Sequence, residues 1–271
     1  MKKSLSELIF ADCLFIIFLS LSAIFGGVLK SVFYLLAYVF PATVLLFLWK
    51  KDEREHYKIS VIGKKDALIT TLPFIFPSVL LILIIAFLTS LFIGAIGISG
   101  EPSRFEGNII YLITVSAVAP AIFEEMLFRY LPIMALGKES PRLAVIYSAV
   151  LFSLSHCNLF QIPYALAAGL LFAVIDMAAG SILPSIIIHF VNNVFSIVWQ
   201  RNSESVDFAV IFLLVLLLCA AVSVLIIYLK RKKLKPLFSP ITQDKSKLIF
   251  TYPLGFYAIV TVVVAASALV N

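Results

Sequence analysis

Six polar side chains in this sequence lie within strongly apolar stretches, where charged groups are energetically costly. They fall in three runs: Glu124, Glu125 and Arg129 in AIFEEMLFRY, His156 in LFSLSHCN, and His189 and Asn193 in IIIHFVNNVF. On insertion scales a charge inside a membrane span costs at least about 2.5–3.5 kcal/mol. Residues that are kept at such a cost are candidates for function.

These residue types suit the hydrolysis of a peptide bond. A carboxylate beside an imidazole can deprotonate water and later hand the proton to a leaving amine. A second imidazole and an amide NH₂ can donate hydrogen bonds to the oxyanion that forms on the carbonyl. Glu124, His156 and His189 are also a chemically fair set of zinc ligands. The two histidines lack HExxH spacing, which favours a metal-free site, and zinc stays open as the alternative.

The spacing of the six residues predicts which of them meet. Glu125 and Arg129 are four residues apart, so they share a helix face and can form an ion pair. His189 and Asn193 share a face for the same reason. Glu124 is rotated by about 100° from Glu125, so we expect it to point elsewhere. At a rise of about 1.5 Å per residue, the carboxylates and imidazoles can reach a common depth in a membrane.

The composition sets the class of protein. Of the 271 residues, 62% are hydrophobic and 13% are charged, and the mean hydropathy is +1.09. Soluble domains are about 45–50% apolar and about 25% charged. The basic residues cluster between apolar runs, as in loops that face anionic lipid, so the net charge of +6 does not indicate nucleic acid binding. The composition therefore predicts an integral membrane protein in contact with the lipid bilayer, with no nucleic acid partner.

The apolar stretches predict an all-α, polytopic membrane helix bundle of eight or nine transmembrane helices. Residues 1–271 are expected to form a single multi-pass domain, with residues 109–200 as its catalytic core. We expect a turn or kink in the third stretch at Pro73 and Pro77, an interruption of the second at Pro41, and a basic loop over 230–247. The nine candidate spans are Leu8–Leu29, Val32–Trp49, Ala67–Ile98, Ile109–Leu136, Arg142–Leu159, Gln161–Ala179, Leu183–Gln200, Val206–Leu229 and Leu248–Val270.

The distribution of basic residues predicts the orientation. With the N-terminus inside the cell, 17 basic residues fall on the cytoplasmic side and 3 on the opposite side. Cytoplasmic loops of membrane proteins carry such an excess of Lys and Arg. The sequence therefore predicts a cytoplasmic N-terminus. Asp12 and Asp176 lie close to the ends of their stretches and are expected at the membrane interface.

Three motifs occur in order on separate stretches: E-E-x-x-x-R from Glu124, F-x-x-x-H from Phe152 and H-x-x-x-N from His189. Together they resemble the CPBP or Abi family, which comprises type II CAAX prenyl endopeptidases and bacteriocin-processing or immunity proteins. The stretch GLLFAVIDMAAGSILPSIIIHFVNN is also similar to the pattern of this family. The resemblance covers roughly residues 117–196.

The resemblance implies an intramembrane endopeptidase of the glutamic type, historically classed as a metalloprotease. It implies a multi-pass protein of the cell membrane that needs no cofactor and cleaves membrane-embedded or lipidated proteins or peptides. Residue by residue, it implies that Glu124 and His156 activate water, that His189 and Asn193 stabilise the oxyanion, and that Glu125 and Arg129 form a supporting pair.

Two other functions compete with this interpretation. A non-catalytic immunity or scaffold protein would be favoured by loss of motif residues, and all of them are kept. A proton-coupled transporter also uses buried Glu, His and Arg, but it predicts inverted repeats and broken helices, which the sequence does not display.

Overall fold

The chain is built from α-helices. The computed structural model describes residues 2–50, 57–63, 69, 71–96, 108–202, 204–247 and 252–267. Within these ranges there are nine helices and no β-strand. They are α1 (Lys2–Ile24), α2 (Gly27–Lys50), α3 (Ile75–Ala95), α4 (Ile109–Leu136), α5 (Pro141–Ser155), α6 (Ile162–Ala179), α7 (Leu183–Asn202), α8 (Val206–Gln243) and α9 (Tyr252–Ser267).

Seven of the described helices are long and apolar enough to cross a membrane, while α5 and α9 are shorter apolar helices. Many large apolar side chains on α2, α3, α8 and α9 are exposed, as expected of surfaces solvated by lipid. The prediction of an all-α polytopic membrane bundle is confirmed. The number of spans and the cytoplasmic N-terminus stay predictions.

Helix α1 begins and ends earlier than the sequence predicted, and α2 also begins earlier. The break falls at Phe25 and Gly26, and α2 begins at Gly27 rather than at Val32. Gly27 has a φ of 59°, which a glycine adopts without steric cost and most other residues avoid. Pro41 lies inside α2 and does not interrupt it, contrary to expectation.

The third apolar stretch contains the expected turn. A 3₁₀ turn, Leu72–Phe74, contains Pro73 and precedes α3. Pro77 lies in the first turn of α3, where a backbone N–H has no partner within the helix. Both prolines are therefore accommodated before the regular part of the helix begins.

Helix α4, which carries the first motif, is not a regular α-helix. Two wide π-helical turns interrupt it, over Thr114–Val118 and Met126–Tyr130. Each turn ends two residues before a proline, Pro120 or Pro132. A proline lacks an N–H and its ring clashes with the carbonyl four residues earlier, which accounts for the widened turns. Such π segments are frequent at functional sites.

The second π segment leaves a backbone carbonyl for side chains to use. Phe128 lies four residues before Pro132, so its carbonyl has no N–H to accept from at that position. It accepts hydrogen bonds from the Ser148 hydroxyl and from Arg129 Nη1. The wide turn of α4 is thereby joined to α5.

Helix α8 continues beyond the predicted end of its span. The sequence predicted a span ending at Leu229 and a basic loop after it, but the helix runs on to Gln243 through Pro236 and Pro240. The segment that follows Leu229 is rich in lysine, arginine and leucine, which are good helix formers. The hydrophilic segment therefore marks where the apolar part of α8 ends, while the helix itself continues.

Small residues bring the site helices close together. An added Cβ at Gly169 of α6 would lie 2.8 Å from the Cα atom of Ala149 on α5. Contacts this tight are typical of helix packing in membranes. Helix α7 packs against both α4 and α6, so α4, α5, α6 and α7 surround one buried region.

An extended segment over residues 57–63 fixes the turn between α6 and α7. Ser60 forms a single parallel β-bridge with Ser181, and the Ile182 amide donates to the Ser60 carbonyl over 3.0 Å. The Tyr57 amide donates to the Met134 carbonyl over 2.9 Å, near the end of α4. These bonds hold the start of α7 beside the end of α4.

Candidate active site

A chain of charged groups lies at the centre of the bundle. Glu125 Oε1 lies 2.7 Å from His189 Nδ1, and Glu125 Oε2 lies 3.4 Å from Arg129 Nε. The side chains of Glu125 and Arg129 are fully buried, with 0% exposure. The ion pair predicted from the four-residue spacing is therefore present. It is extended by an imidazole from α7.

Aromatic rings enclose the guanidinium of Arg129. Its central carbon lies 4.1 Å from the centroid of the Phe152 ring and 5.8 Å from that of Phe172. Aromatic faces attract a cation electrostatically, and more strongly when water is excluded. Arg129 is thus held by a carboxylate, a carbonyl and two rings, which together compensate a charge that is removed from water.

Glu124 does not point away from Glu125, contrary to prediction. Its Oε2 lies 3.8 Å from His189 Nε2, so the two glutamates face opposite nitrogens of one imidazole. The hydroxyl of Tyr38, on α2, donates to Oε1 of Glu124 over 3.2 Å. Glu124 is 17% exposed, whereas Glu125 is fully buried. Glu124 is therefore the carboxylate that a substrate could reach.

His156 lies at the end of a helix, not within one. Helix α5 ends at Ser155, although the sequence predicted a stretch running to Leu159. The next residue, Cys157, has a φ of 47°, which cannot continue an α-helix. The early end places the His156 ring on the last turn of α5, half-buried and facing the centre of the bundle.

The hydrogen bond of His156 fixes its tautomer. Its Nδ1 lies 2.8 Å from the carbonyl oxygen of Phe152. Because a carbonyl can only accept, Nδ1 carries a hydrogen, so in the neutral ring the lone pair lies on Nε2. Neutral His156 therefore presents an acceptor nitrogen at Nε2.

The ring of Phe152 brings the two histidines together. Its centroid lies 4.8 Å from that of His156 and 5.9 Å from that of His189. His156 also interacts electrostatically with Glu124. The structure therefore brings the carboxylates of α4 and the imidazoles of α5 and α7 to one place, while the catalytic role of each residue stays a prediction.

Asn193 lies one turn after His189 on α7 and is half-buried. Among the described residues, no contact joins its amide to the carboxylates or imidazoles of the site. An oxyanion forms only on a bound substrate, so the proposed hydrogen bond from Asn193 to it stays a prediction.

Four residues were not predicted to belong to the site: Tyr38, Phe172, Asp176 and Ser185. Asp176 was expected at the interface, but it is fully buried and accepts a hydrogen bond of 3.1 Å from the Ser185 amide in the first turn of α7. Asp12 was also expected there and is 2% exposed. Asp176 lies inside α6, seven residues before α7 begins, so no local capping pattern indicated this bond.

The zinc alternative requires three ligands that converge on one point. Within the described residues, no three His, Cys, Asp or Glu side chains are arranged to hold a metal ion. Both nitrogens of His189 face carboxylates, and Nδ1 of His156 is bonded to a carbonyl. As arranged here, Glu124, His156 and His189 do not fit a zinc ion, whose ligands take tetrahedral positions at about 2.0–2.2 Å.

Comparison with known proteins agrees with the motifs. Residues 106–195 match the family described as type II CAAX prenyl endopeptidase Rce1-like, and this range contains all three motifs. No curated protein and no solved structure matches the chain. The family implies CAAX-type intramembrane protease activity, which agrees with the long apolar helices of a membrane protein. Over residues 106–195, the chain is thus similar to the Rce1-like family of type II CAAX prenyl endopeptidases.

Proposed function

We propose that this protein is a multi-pass endopeptidase of the cell membrane. It hydrolyses peptide bonds in membrane-embedded or lipidated proteins or peptides, using side chains of residues 109–200 and no metal. The observation that carries the proposal is the arrangement of Glu124 and Glu125 on opposite nitrogens of His189, with His156, whose Nδ1 is bonded to a backbone carbonyl, beside them. This arrangement provides a base, an acceptor and a charged donor in one buried place.

In the first step, Glu124 and His156 activate water. The Nε2 lone pair of His156 and a carboxylate oxygen of Glu124 are the acceptors that the site offers to a water molecule. Glu124 takes the proton while the water oxygen bonds to the carbonyl carbon of the substrate. The carbonyl π electrons move to oxygen and form an oxyanion.

In the same step, His189 and Asn193 stabilise the oxyanion. Because Nδ1 of His189 donates to Glu125, Nε2 can donate only when the ring is doubly protonated. Carboxylates at both nitrogens stabilise that charged form. The amide NH₂ of Asn193 is the second donor, since it follows His189 by one turn.

The second step breaks the peptide bond. The oxyanion collapses to a carboxyl group, the C–N bond breaks, and the proton held by Glu124 passes to the departing amine. Glu125 and Arg129 stay paired throughout and fix the orientation of His189, because both are fully buried. They are supporting residues that do not touch the substrate.

The experiment that tests this function measures cleavage by purified protein in lipid nanodiscs. The panel contains prenylated and unprenylated C-terminal CAAX peptides and one hydrophobic peptide without the motif. The matched control is Glu124→Gln, which keeps the size of the side chain and removes its charge. We expect cleavage of at least one peptide by the wild type and none by the control. Equal cleavage by both proteins, or by neither, would refute the proposal.

Chelation tests whether the reaction is metal-free. We expect dialysis against a strong chelator to leave the rate unchanged. If zinc were required, chelation would abolish cleavage and added zinc would restore it. That outcome would exclude the glutamic mechanism while leaving the endopeptidase activity in place.

A further inference from the structure

Helix α2 lies outside the segment that matches the family, yet one of its side chains reaches the proposed catalytic carboxylate. Tyr38 is 4% exposed, and its hydroxyl lies 3.2 Å from Oε1 of Glu124. This hydrogen bond joins residues 86 positions apart in sequence. No motif of the chain indicates it.

The position of this hydroxyl is fixed by packing. The Tyr38 ring is stacked on Phe123 with centroids 5.6 Å apart, and it lies 5.0 Å from the ring of Phe15. Phe123 directly precedes Glu124, so one contact holds both the tyrosine ring and the backbone beside the carboxylate. Aromatic pairs of this kind add to the stability of a buried contact.

The consequence is that the two oxygens of Glu124 differ. Oε1 accepts from Tyr38, while Oε2 faces His189 Nε2 at 3.8 Å. A carboxyl group protonated on Oε2 still accepts at Oε1, so the tyrosine bond can persist before and after proton transfer. The bond therefore orients the group without competing for its reactive oxygen.

We propose that Tyr38 is a positioning residue for hydrolysis: it holds Oε1 of Glu124 and thereby aims Oε2 at the water and at His189. The proposal rests on the function proposed above and adds a residue of α2 to it. Tyr38 acts through Glu124 and does not contact the substrate, so its loss should affect the chemical step and not substrate binding.

The test compares Tyr38→Phe with Tyr34→Phe. Both variants keep an aromatic ring, but the Tyr34 hydroxyl lies 3.5 Å from that of Tyr38 and is not bonded to Glu124. Hydrogen bonds to charged groups are strong enough that losing one should lower kcat about 10- to 100-fold, with KM unchanged. For Tyr34→Phe, we expect kcat within about threefold of the wild type, because the bond to Glu124 is kept.

The results separate this proposal from the function on which it rests. If Glu124→Gln is inactive but Tyr38→Phe keeps the wild-type kcat, the positioning role is wrong and the function stands. Equal losses in both tyrosine variants, or a raised KM with a lower Tm for Tyr38→Phe, would also overturn the role. If Glu124→Gln is active, the function itself fails.

A second substitution covers the case in which Tyr38→Phe does not fold. Difluorotyrosine at position 38 keeps the ring and the hydroxyl but changes the strength of the hydrogen bond. We expect kcat to change with KM and Tm unchanged. An unchanged kcat would overturn the proposal.

Discussion

The two imidazoles of the site are held by very different partners. At the end of α5, Nδ1 of His156 is bonded to a backbone carbonyl, so the neutral ring has its acceptor at Nε2. In the middle of α7, His189 lies between two carboxylates and is 6% exposed. In the mechanism proposed above, the two rings have opposite tasks, His156 as an acceptor and His189 as a donor. We expect the chemical partner of Nδ1, more than depth in the membrane, to decide which task each ring performs.

Replacing each histidine in turn should have the largest effects on turnover and should distinguish the two roles most clearly. We expect His156→Ala to lower turnover at least about 10³-fold while the protein stays folded, because in the proposed mechanism its Nε2 is an acceptor for the attacking water. His189→Ala should lower turnover and also Tm, because it leaves Glu125 without its imidazole partner. Both are measured by peptide cleavage and by thermal unfolding in detergent. Equal losses of Tm in the two variants would contradict the difference in roles.

Arg129→Ala tests whether the ion pair with Glu125 supports the fold around His189. Removing one partner of a buried ion pair typically costs about 3–5 kcal/mol, because the other charge is left uncompensated. We therefore expect a lower yield and a lower Tm, measured by thermal unfolding. The double variant Glu125→Gln/Arg129→Met should recover much of that stability, since it removes both charges. A stable but inactive Arg129→Ala would instead indicate that Arg129 acts on the substrate.

Asn193→Ala should have a smaller effect that is confined to catalysis. Loss of one oxyanion donor typically lowers kcat by about 10²–10³. The neighbouring Asn192→Ala is the matched control, because it makes the same truncation one residue earlier on α7. We expect Tm to stay at the wild-type value in both. The same loss of kcat in Asn192→Ala would remove the reason for assigning the donor to Asn193.

Asp244→Asn tests the far end of α5 and should have the smallest effect. Asp244 accepts hydrogen bonds from Ser140 and from the Arg142 amide at the start of α5, and with Ser246 these bonds hold its pKa below the ordinary value. A carboxyl with a lowered pKa stabilises the fold above its ordinary pKa of about 3.9, and the contribution is lost as the pH falls further. We expect a slightly lower Tm for Asp244→Asn at pH 7 and a smaller difference at pH 3. A difference that grows with acidification would have the wrong sign.

The sequence was informative where chemistry and spacing act together. It predicted the helical bundle, the ion pair of Glu125 and Arg129, and the meeting of the α4 carboxylates with the two imidazoles, but among the described residues the Asn193 amide makes no contact with them. It was wrong about Glu124. The offset of about 100° between neighbouring helix positions fixes only the direction in which a side chain leaves the helix. Two long glutamate side chains can still reach opposite nitrogens of one imidazole. The roles of these residues in catalysis are still predictions.

Other features depend on tertiary contacts that have no local signal. Tyr38 lies in an apolar, aromatic helix, and nothing near it in the sequence indicates a bond to a carboxylate on α4. The early end of α5 depends on a backbone bend at Cys157, in a run whose hydrophobicity continues. By contrast, the wide turns of α4 could have been predicted, because Pro120 and Pro132 each deprive a carbonyl of its helical partner.

The ¹⁵N chemical shifts of the imidazoles test the central claim most directly. The chain has three histidines, so labelled protein gives three signal pairs, which His56→Ala and His156→Ala assign. At pH 7 we expect His156 to be neutral with its hydrogen on Nδ1, and His189 to be protonated on both nitrogens. A neutral His189, or a His156 with its hydrogen on Nε2, would contradict the assignment of one imidazole as acceptor and the other as donor.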